Sequence, residues 1–388
     1  MKIVLISNNT FSTFGGYEKV VLSVFNQLLE KYNCDISIIS VPHYNSLLNN
    51  PILEEFKKFR IYRSSDYKNR LHYSINILIK KILGKDLFIN LFSIKKYLNE
   101  LTNADIVLVT DPLLITSVKY IIKKNQINAK VVYWDHGSLF GYLKGKFQKI
   151  VYSKEIFKGL KSADAHLAIA TEIKDFIKDI NPEANVNLVY NPVSFYRGRL
   201  IQRPSSPIFL YVGRLTNNDK NITFMLNGLS KLKNKEWSLK IVGTGKDENK
   251  LKNLANKLKI SDRIEWLGFK KDPFGEITEA TALLLTSRWE GFGMVLVEAN
   301  QRGIPVISSD CKSGPKDIVI SGVNGYLYKE GDMNEFVKVV NGLIEGNLKF
   351  DSPENIAKTT ERFREDIVIK NIYEFLKSLC KRRIHGTF

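Results

Sequence analysis

No apolar run in the chain approaches the roughly 20 residues that a membrane-spanning helix needs. No small-residue cleavage site follows the apolar start MKIVLIS, so this stretch is expected as a buried first strand rather than a secretory leader. Cysteine is scarce: Cys34, Cys311 and Cys380 are the only three, odd in number and far apart. They offer neither a disulfide framework nor a metal-ligand spacing, and they suit a reducing cytoplasm. G-x-G-x-x-G is missing, which disfavours a dinucleotide-binding dehydrogenase. IVGTGKDENKLKNL, with Gly243 and Gly245, lacks the GK[ST] ending of a phosphate-binding P-loop. No internal repeat or low-complexity segment is present.

What is present is a globular chain with 44% hydrophobic residues. Its 388 residues are too many for one ordinary core, so two domains are expected. The formal net charge is +18. Residues 1–195 hold 26 Lys and Arg against 17 Asp and Glu, so half of the excess lies in each part and there is no basic tail. Two segments mix lysine with apolar residues: Ile75–Leu98 and Tyr142–Lys161. Each reads as a solvated basic face or as a surface that sits on anionic lipid. Nucleic acid is not expected as a partner, since no recognition motif accompanies the charge.

Short apolar segments alternate with helical ones. KIVLIS, CDISIISV, ADIVLVT, KVVYW and AHLAIA read as buried strands. A turn at Asn191–Pro192 and the Pro/Ser-containing stretch RLIQRPSSP follow. A second series then begins: IFLYVGRL, SLKIVG, RIEWLG, ALLLTS, PVISSD and GYLY. The expected fold is α/β, with two doubly wound Rossmann-like domains over residues 1–195 and 196–365.

In such sheets ligands bind beyond the carboxyl ends of strands, so glycines and charges there are the candidates. Gly15 and Gly16 follow the first strand and open a helix with Glu18 in its first turn. Tandem glycines admit a ligand close to the backbone, and a helix start favours an anion. His136 follows VVYW, where it is either a ligand contact or a packed structural histidine; Asp135 either orients it or caps the next helix. Gly213 ends IFLYVG, and Arg214 and Lys220 follow within one loop. Two cations there suit a diphosphate: arginine as a bidentate fork, lysine as a point charge. Gly243 ends the next strand in the same way.

The stretch SRWEGFGMVLVEANQRGIP places Glu290 in a loop and Glu298 in a helix, eight residues apart. At about 1.5 Å of rise per residue they sit well apart along the axis and reach different ends of one ligand. The N–H groups of Phe292, Gly293 and Met294 at the helix start suit a negative group. A carboxylate such as Glu298 suits a diol. Ser313, Gly314 and Pro315 shape a further loop in the same geometry.

GGYE, WDHGSL, VYNPVS, YVGRL with Lys220, EGFGMVLVE and GIPVISSDCKSGP together resemble the retaining family 4 glycosyltransferases of GT-B architecture, over nearly the whole chain. TALLLTSRWEGF and DCKSGPKDI are most similar to its lipopolysaccharide 1,6-galactosyltransferase-type branch. The resemblance implies two Rossmann-like domains facing across a cleft, with the acceptor on the first and a UDP-sugar on the second. It implies that Arg214 and Lys220 hold the diphosphate and that Glu298 binds ribose. Glu290 and the Phe292–Gly293 backbone would contact the transferred sugar, His136 its C6 side, and Gly16 the phosphate. It implies a last helix, 366–388, crossing back to the first domain. The donor is UDP-galactose, UDP-glucose or a UDP-N-acetylhexosamine, and the acceptor a cell-envelope glycan, free or lipid-linked. No Asp-x-Asp occurs, so no metal or other cofactor is expected. The expected location is cytoplasmic and peripheral on the inner membrane face. The competing expectation is a nucleotide-binding or basic membrane-associated protein without catalysis.

Overall fold

The computed structural model describes residues 1–8, 15–41, 54–63, 94–143, 146–234 and 236–381. It divides into two compact units, Met1–Pro192 with Glu365–Phe388, and Val193–Arg364. Most of the lysine-rich stretch 75–98, up to residue 93, and residues 9–14 lie outside the described residues.

Among the described residues of the N-terminal unit, seven strands form one sheet: β1 (Lys2–Ser7), β2 (Asp35–Ser40), β3 (Arg60–Arg63), β4 (Ile106–Val109), β5 (Lys130–Trp134), β6 (Ala165–Ala168) and β7 (Val186–Leu188). Their order is β3-β2-β1-β4-β5-β6-β7, and every neighbouring pair is parallel. β1 and β4 carry unbroken apolar runs because parallel strands are covered on both faces. The helix Gly16–Tyr32 buries Val20, Val21, Val24, Phe25 and Leu28, spaced for one face.

The last helix, Glu365–Lys381, belongs to this first unit. Tyr373 stacks on Tyr32 at 3.9 Å between ring centroids, and the Ser23 hydroxyl donates to Glu365. Its apolar face, Val368, Ile369, Ile372 and Leu376, is buried.

The C-terminal unit holds β8 (Ile208–Val212), β9 (Ser238–Val242), β10 (Ile264–Gly268), β11 (Ala282–Leu285), β12 (Val306–Ser309) and β13 (Gly325–Tyr328). The order is β10-β9-β8-β11-β12-β13, again parallel throughout. Its core joins Phe209, Tyr211, Leu226, Trp237, Leu239, Leu284 and Phe336. Each sheet reverses its strand order once, at β1/β4 and at β8/β11. Such a switch point opens a crevice beyond the strands' carboxyl ends.

Candidate active site

Beyond β8 the chain runs through Gly213, Arg214 and Thr216 into a four-residue helix, Asn217–Lys220. Asn221 ends it in a left-handed conformation, φ +51°, which asparagine tolerates better than most residues. A second helix, Ile222–Ser230, starts at once. The break lets Lys220 project toward the end of β11. There its Nζ lies 2.7 Å from Glu290 Oε1, and the Ser287 hydroxyl donates to the same oxygen at 2.5 Å. Both charged side chains are nearly buried, at 17% and 10% exposure, so the pair is weakly screened. The Thr286 hydroxyl contacts the carbonyls of Lys220 and Asn221, fixing the turn to β11.

Arg214 sits on the same turn but is 76% exposed, 3.3 Å from Asp219. An exposed pair of this kind holds its partners loosely. The guanidinium can therefore change partner at small cost.

Gly213 and Gly243, expected as ligand contacts, also have a role within the sheet. Their N–H groups are already bonded, to the carbonyls of Val242 and Gly268 at 3.0 and 2.7 Å. A Cβ on Gly243 would lie 1.9 Å from the Gly213 carbonyl oxygen, so glycine permits the ends of β8 and β9 to close on each other.

The loop after β11 is pinned from the side. Trp289 bridges to Lys312, and the Ser313 hydroxyl donates to the Gly291 carbonyl at 2.7 Å. A Cβ on Gly314 would strike the Phe292 carbonyl at 1.8 Å. Phe292 is buried and packs edge-on against Phe363. Gly293, at φ +93°, leads into the helix Met294–Asn300, so Gly293 and Met294 stand where the first N–H groups have no intrahelical partner. Glu298 lies one turn on. It is half-buried, and its carboxylate has no partner among the described residues. Glu290 and Glu298 are thus in different settings: one tied to a cation and a hydroxyl, the other open.

Two buried groups beside the site are silent. Burial first, then the Glu290 charge, pushes the Cys311 thiol up to about 12, so it stays protonated and unreactive. The same causes hold the Tyr211 hydroxyl well above its usual range.

In the N-terminal unit the switch point gathers hydroxyls and rings. Tyr17 Oη is 2.8 Å from the Ser7 hydroxyl and 3.2 Å from that of Thr110, and burial raises it to about 12. The His136 ring meets Tyr17 edge-on at 4.8 Å and leans on Trp134 at 4.3 Å. His136 Nε2 is shielded from solvent and lacks a hydrogen-bond partner among the described residues. Burial lowers its pKa to about 3, so the imidazole is neutral at physiological pH. Asp135 Oδ1 accepts from the Tyr133 hydroxyl at 2.6 Å and from the Leu139 N–H at 3.3 Å, which makes it a cap for the helix Ser138–Leu143. The Gly15 N–H is taken by the Glu18 carboxylate at 3.1 Å rather than left open. Gly16 has open space where a Cβ would stand.

Sequence reasoning brought Arg214, Lys220 and Glu290 together and missed Ser287, Arg288, Tyr17 and Asp111. Asp111 is buried at the end of β4 and accepts from Asn8 at 2.5 Å. Its position directly after the apolar run IVLVT was the available signal.

Paired cations and carboxylates at a parallel-sheet switch point make an α/β site whose chemistry suits a phosphate-bearing ligand. Residues 195–363 match the family described as glycosyl transferases group 1. The chain is 33% identical over 382 residues to a lipopolysaccharide 1,6-galactosyltransferase of Salmonella typhimurium, covering 96% of this chain and 97% of the relative. The Escherichia coli protein of the same name is 33% identical over 303 residues, 76% of this chain and 80% of its own. Among solved structures, the apo form of the lipopolysaccharide outer core galactosyltransferase WaaB matches with a TM-score of 0.79 at 30% identity, over 97% of this chain and 99% of that one. Anabaena Alr3699/HepE, solved with UDP, shares the fold at a TM-score of 0.71 and 16% identity, over 97% and 100%. The chain belongs to the glycosyl transferases group 1 family and is a glycosyltransferase of GT-B fold.

Proposed function

We propose that the protein transfers a hexose, galactose first among the candidates, from a UDP-sugar to a lipopolysaccharide-type glycan, with retention of anomeric configuration. The observation that carries this reading is the Lys220–Glu290 pair at the β8/β11 switch point, with Arg214 on the same turn. Two relatives named as lipopolysaccharide 1,6-galactosyltransferases support the sugar and the acceptor class.

In this reading the C-terminal unit holds the nucleotide sugar and the N-terminal unit the acceptor. Lys220 and Arg214 face the diphosphate, Glu298 accepts from the ribose hydroxyls, and Glu290 accepts from the transferred sugar. Gly293 and Met294 offer N–H groups to the negative end of the donor. His136, neutral, meets the sugar hydroxyls as a hydrogen-bonding group and not as a cation. The anomeric carbon breaks its bond to the diphosphate oxygen, and the acceptor oxygen bonds to the same face. The acceptor's proton goes to the departing phosphate oxygen, so no side-chain base is needed. The enzyme's work is to stabilise the charge that builds on the leaving diphosphate, and preorganised cations do this best in a shielded site. With no Asp-x-Asp in the chain, that task falls to Arg214 and Lys220 without a metal.

The protein is read as peripheral on the cytoplasmic membrane face. Among the described residues no helix is long and apolar enough to cross a membrane. Lys154, Lys158 and Lys161 are exposed on one helix around an open hollow of about 440 Å³ that also holds Phe157. They are spaced at i, i+4 and i+7, and none has an acidic partner among the described residues. An anionic lipid surface presenting a lipid-linked acceptor fits that face.

The test is UDP release by the purified protein against a panel of nucleotide sugars, with and without a lipopolysaccharide core acceptor. UDP-galactose is expected to turn over, and NMR of the product to show the donor's anomeric configuration. UDP binding without turnover of any UDP-sugar would favour a nucleotide-binding protein without catalysis and end the proposal.

A further inference from the structure

We propose that Arg288 is a positioning residue of the diphosphate site, acting on the ligand through the Lys220 turn. The inference rests on the reading of Lys220 as a diphosphate cation.

Four residues of helix are too few to hold themselves in place, because the first turn is the costly one to form. The helix Asn217–Lys220 must therefore be held by its surroundings. Arg288, just past β11, supplies three of the bonds. Its backbone N–H donates to the Asp219 carbonyl at 2.8 Å. Its Nη1 donates to the carbonyls of Asn217 at 2.7 Å and Asn218 at 3.0 Å. One residue thus binds three consecutive carbonyls immediately before Lys220. Further tethers are the Thr286 hydroxyl, the Asp247 carboxylate, which accepts from the Asn217 N–H at 2.8 Å, the Thr223 N–H, which donates to Asn217 Oδ1 at 2.8 Å, and the Thr216 hydroxyl, which donates to Asp219 at 2.5 Å.

The partners are unusual for a half-buried arginine. No carboxylate pairs with the Arg288 guanidinium among the described residues. It is used on neutral carbonyls, a charge-assisted bond of roughly twice the ordinary strength. Its full positive charge is therefore not cancelled and stands beside the cations of the site. Both consequences favour the same thing: Lys220 held at one position relative to Glu290, in a field that suits an anion. Neither bears on the uridine end of a donor.

The test compares UDP with uridine in titrations of wild type, R288A, R288K, K220A and the R288A/K220A double variant, with thermal unfolding of each. R288A is expected to weaken UDP about tenfold, the usual loss for a hydrogen bond to a charged group, and to leave uridine unchanged. R288K should recover part of the loss. In the K220A background, R288A should add less than about twofold, since residues acting as one unit are not additive. Equal losses for UDP and uridine, full additivity with K220A, or an R288A that binds UDP normally would each overturn the proposal. Should R288A not fold, R288Q, which keeps a donor without the charge, carries the same comparison. A K220A that binds UDP like wild type defeats the diphosphate reading and this inference with it. A K220A that weakens UDP while R288A does not defeats the inference alone.

Discussion

The two units repeat one topology and fill its switch point with different chemistry. At β1/β4 the chain collects Ser7, Tyr17, Thr110, the neutral His136 ring and the buried carboxylates of Glu18 and Asp111. At β8/β11 it collects Lys220, Glu290, Arg214 and Arg288. Hydroxyls, an uncharged ring and carboxylates suit a sugar, whose hydroxyls can donate to and accept from them. Cations suit a diphosphate, whose desolvation opposite charge offsets. On the proposed reading, one fold used twice would separate the recognition of a glycan from that of a nucleotide.

The strongest way to break this comparison is to remove charge from one switch point and polarity from the other. Arg214→Ala and Lys220→Ala are each expected to lower kcat on the order of 100-fold or more, as for loss of a preorganised donor. Arg214, being exposed, should leave thermal stability unchanged. Tyr17→Phe should leave UDP affinity alone and alter only the acceptor's KM. Steady-state kinetics with both substrates varied would decide it. A donor-side defect in Tyr17→Phe would erase the division of labour.

The glycines sharpen the same contrast through stability. Gly243 has φ +136°, and a Cβ there would meet backbone at 1.9 Å, so Gly243→Ala must push β8 and β9 apart. A loss of about 3 kcal/mol or more in urea unfolding is expected, in the range of backbone strain with overpacking. Gly16 has open space and an ordinary φ, so Gly16→Ala should be neutral or stabilising by up to about 1 kcal/mol. If it costs activity without stability, the space beside Gly16 is occupied by ligand.

These two glycines were indistinguishable as letters. Each follows a strand, and only the approach of Gly213 to Gly243 in three dimensions separates them. The same limit explains the strands that pattern reading passed over. β3 and β7 are the two edges of the first sheet. β7 is only partly buried along its length, so neither it nor RIYR shows the apolar run that marked the inner strands. Central strands were legible because covering both faces calls for apolar residues at most positions. Lys220 and Glu290 were legible one at a time, as charges after strands. Their contact depends on the left-handed Asn221, which nothing in a propensity argument predicts. Arg288 was hidden because its partners are carbonyls, which leave no trace in sequence.

Acid should separate the units next. All five histidines lie outside 193–364, and two of those in the first unit are depressed by burial, His136 to about 3 and His166 to about 4. Unfolded, each has a pKa near 6.5. Below that value the unfolded chain binds protons that the folded unit refuses, so stability falls as pH drops from about 6.5 toward 4 and is unaffected above. The slope is at most about 1.4 kcal/mol per pH unit for each histidine. Urea unfolding at pH 7.5 and pH 5, with a probe in each unit, should show the first unit weakening more. His166→Asn should flatten its slope. Equal weakening of both units would assign the acid response to carboxylates.

The smallest expected effect concerns the exposed lysines, and it tests whether the first unit's hydroxyl-rich site coexists with a basic exterior. Lys154, Lys158 and Lys161 gain nothing from one another, since like charges one turn apart repel by a few tenths of a kcal/mol. The nearby acids are engaged elsewhere: Glu155 accepts from the Thr116 hydroxyl, and Asp164 pairs with Lys119 at 2.9 Å. An anionic surface would repay the repulsion at about 1 kcal/mol per lysine. Lys158→Ala should therefore reduce partition onto vesicles containing anionic lipid about fivefold at low salt, converging with wild type as salt rises. UDP affinity should not move, because this helix belongs to the first unit and the nucleotide reading to the second. Equal partition of both proteins would mean that these charges face solvent alone, and the contrast between the units would then rest on their switch points only.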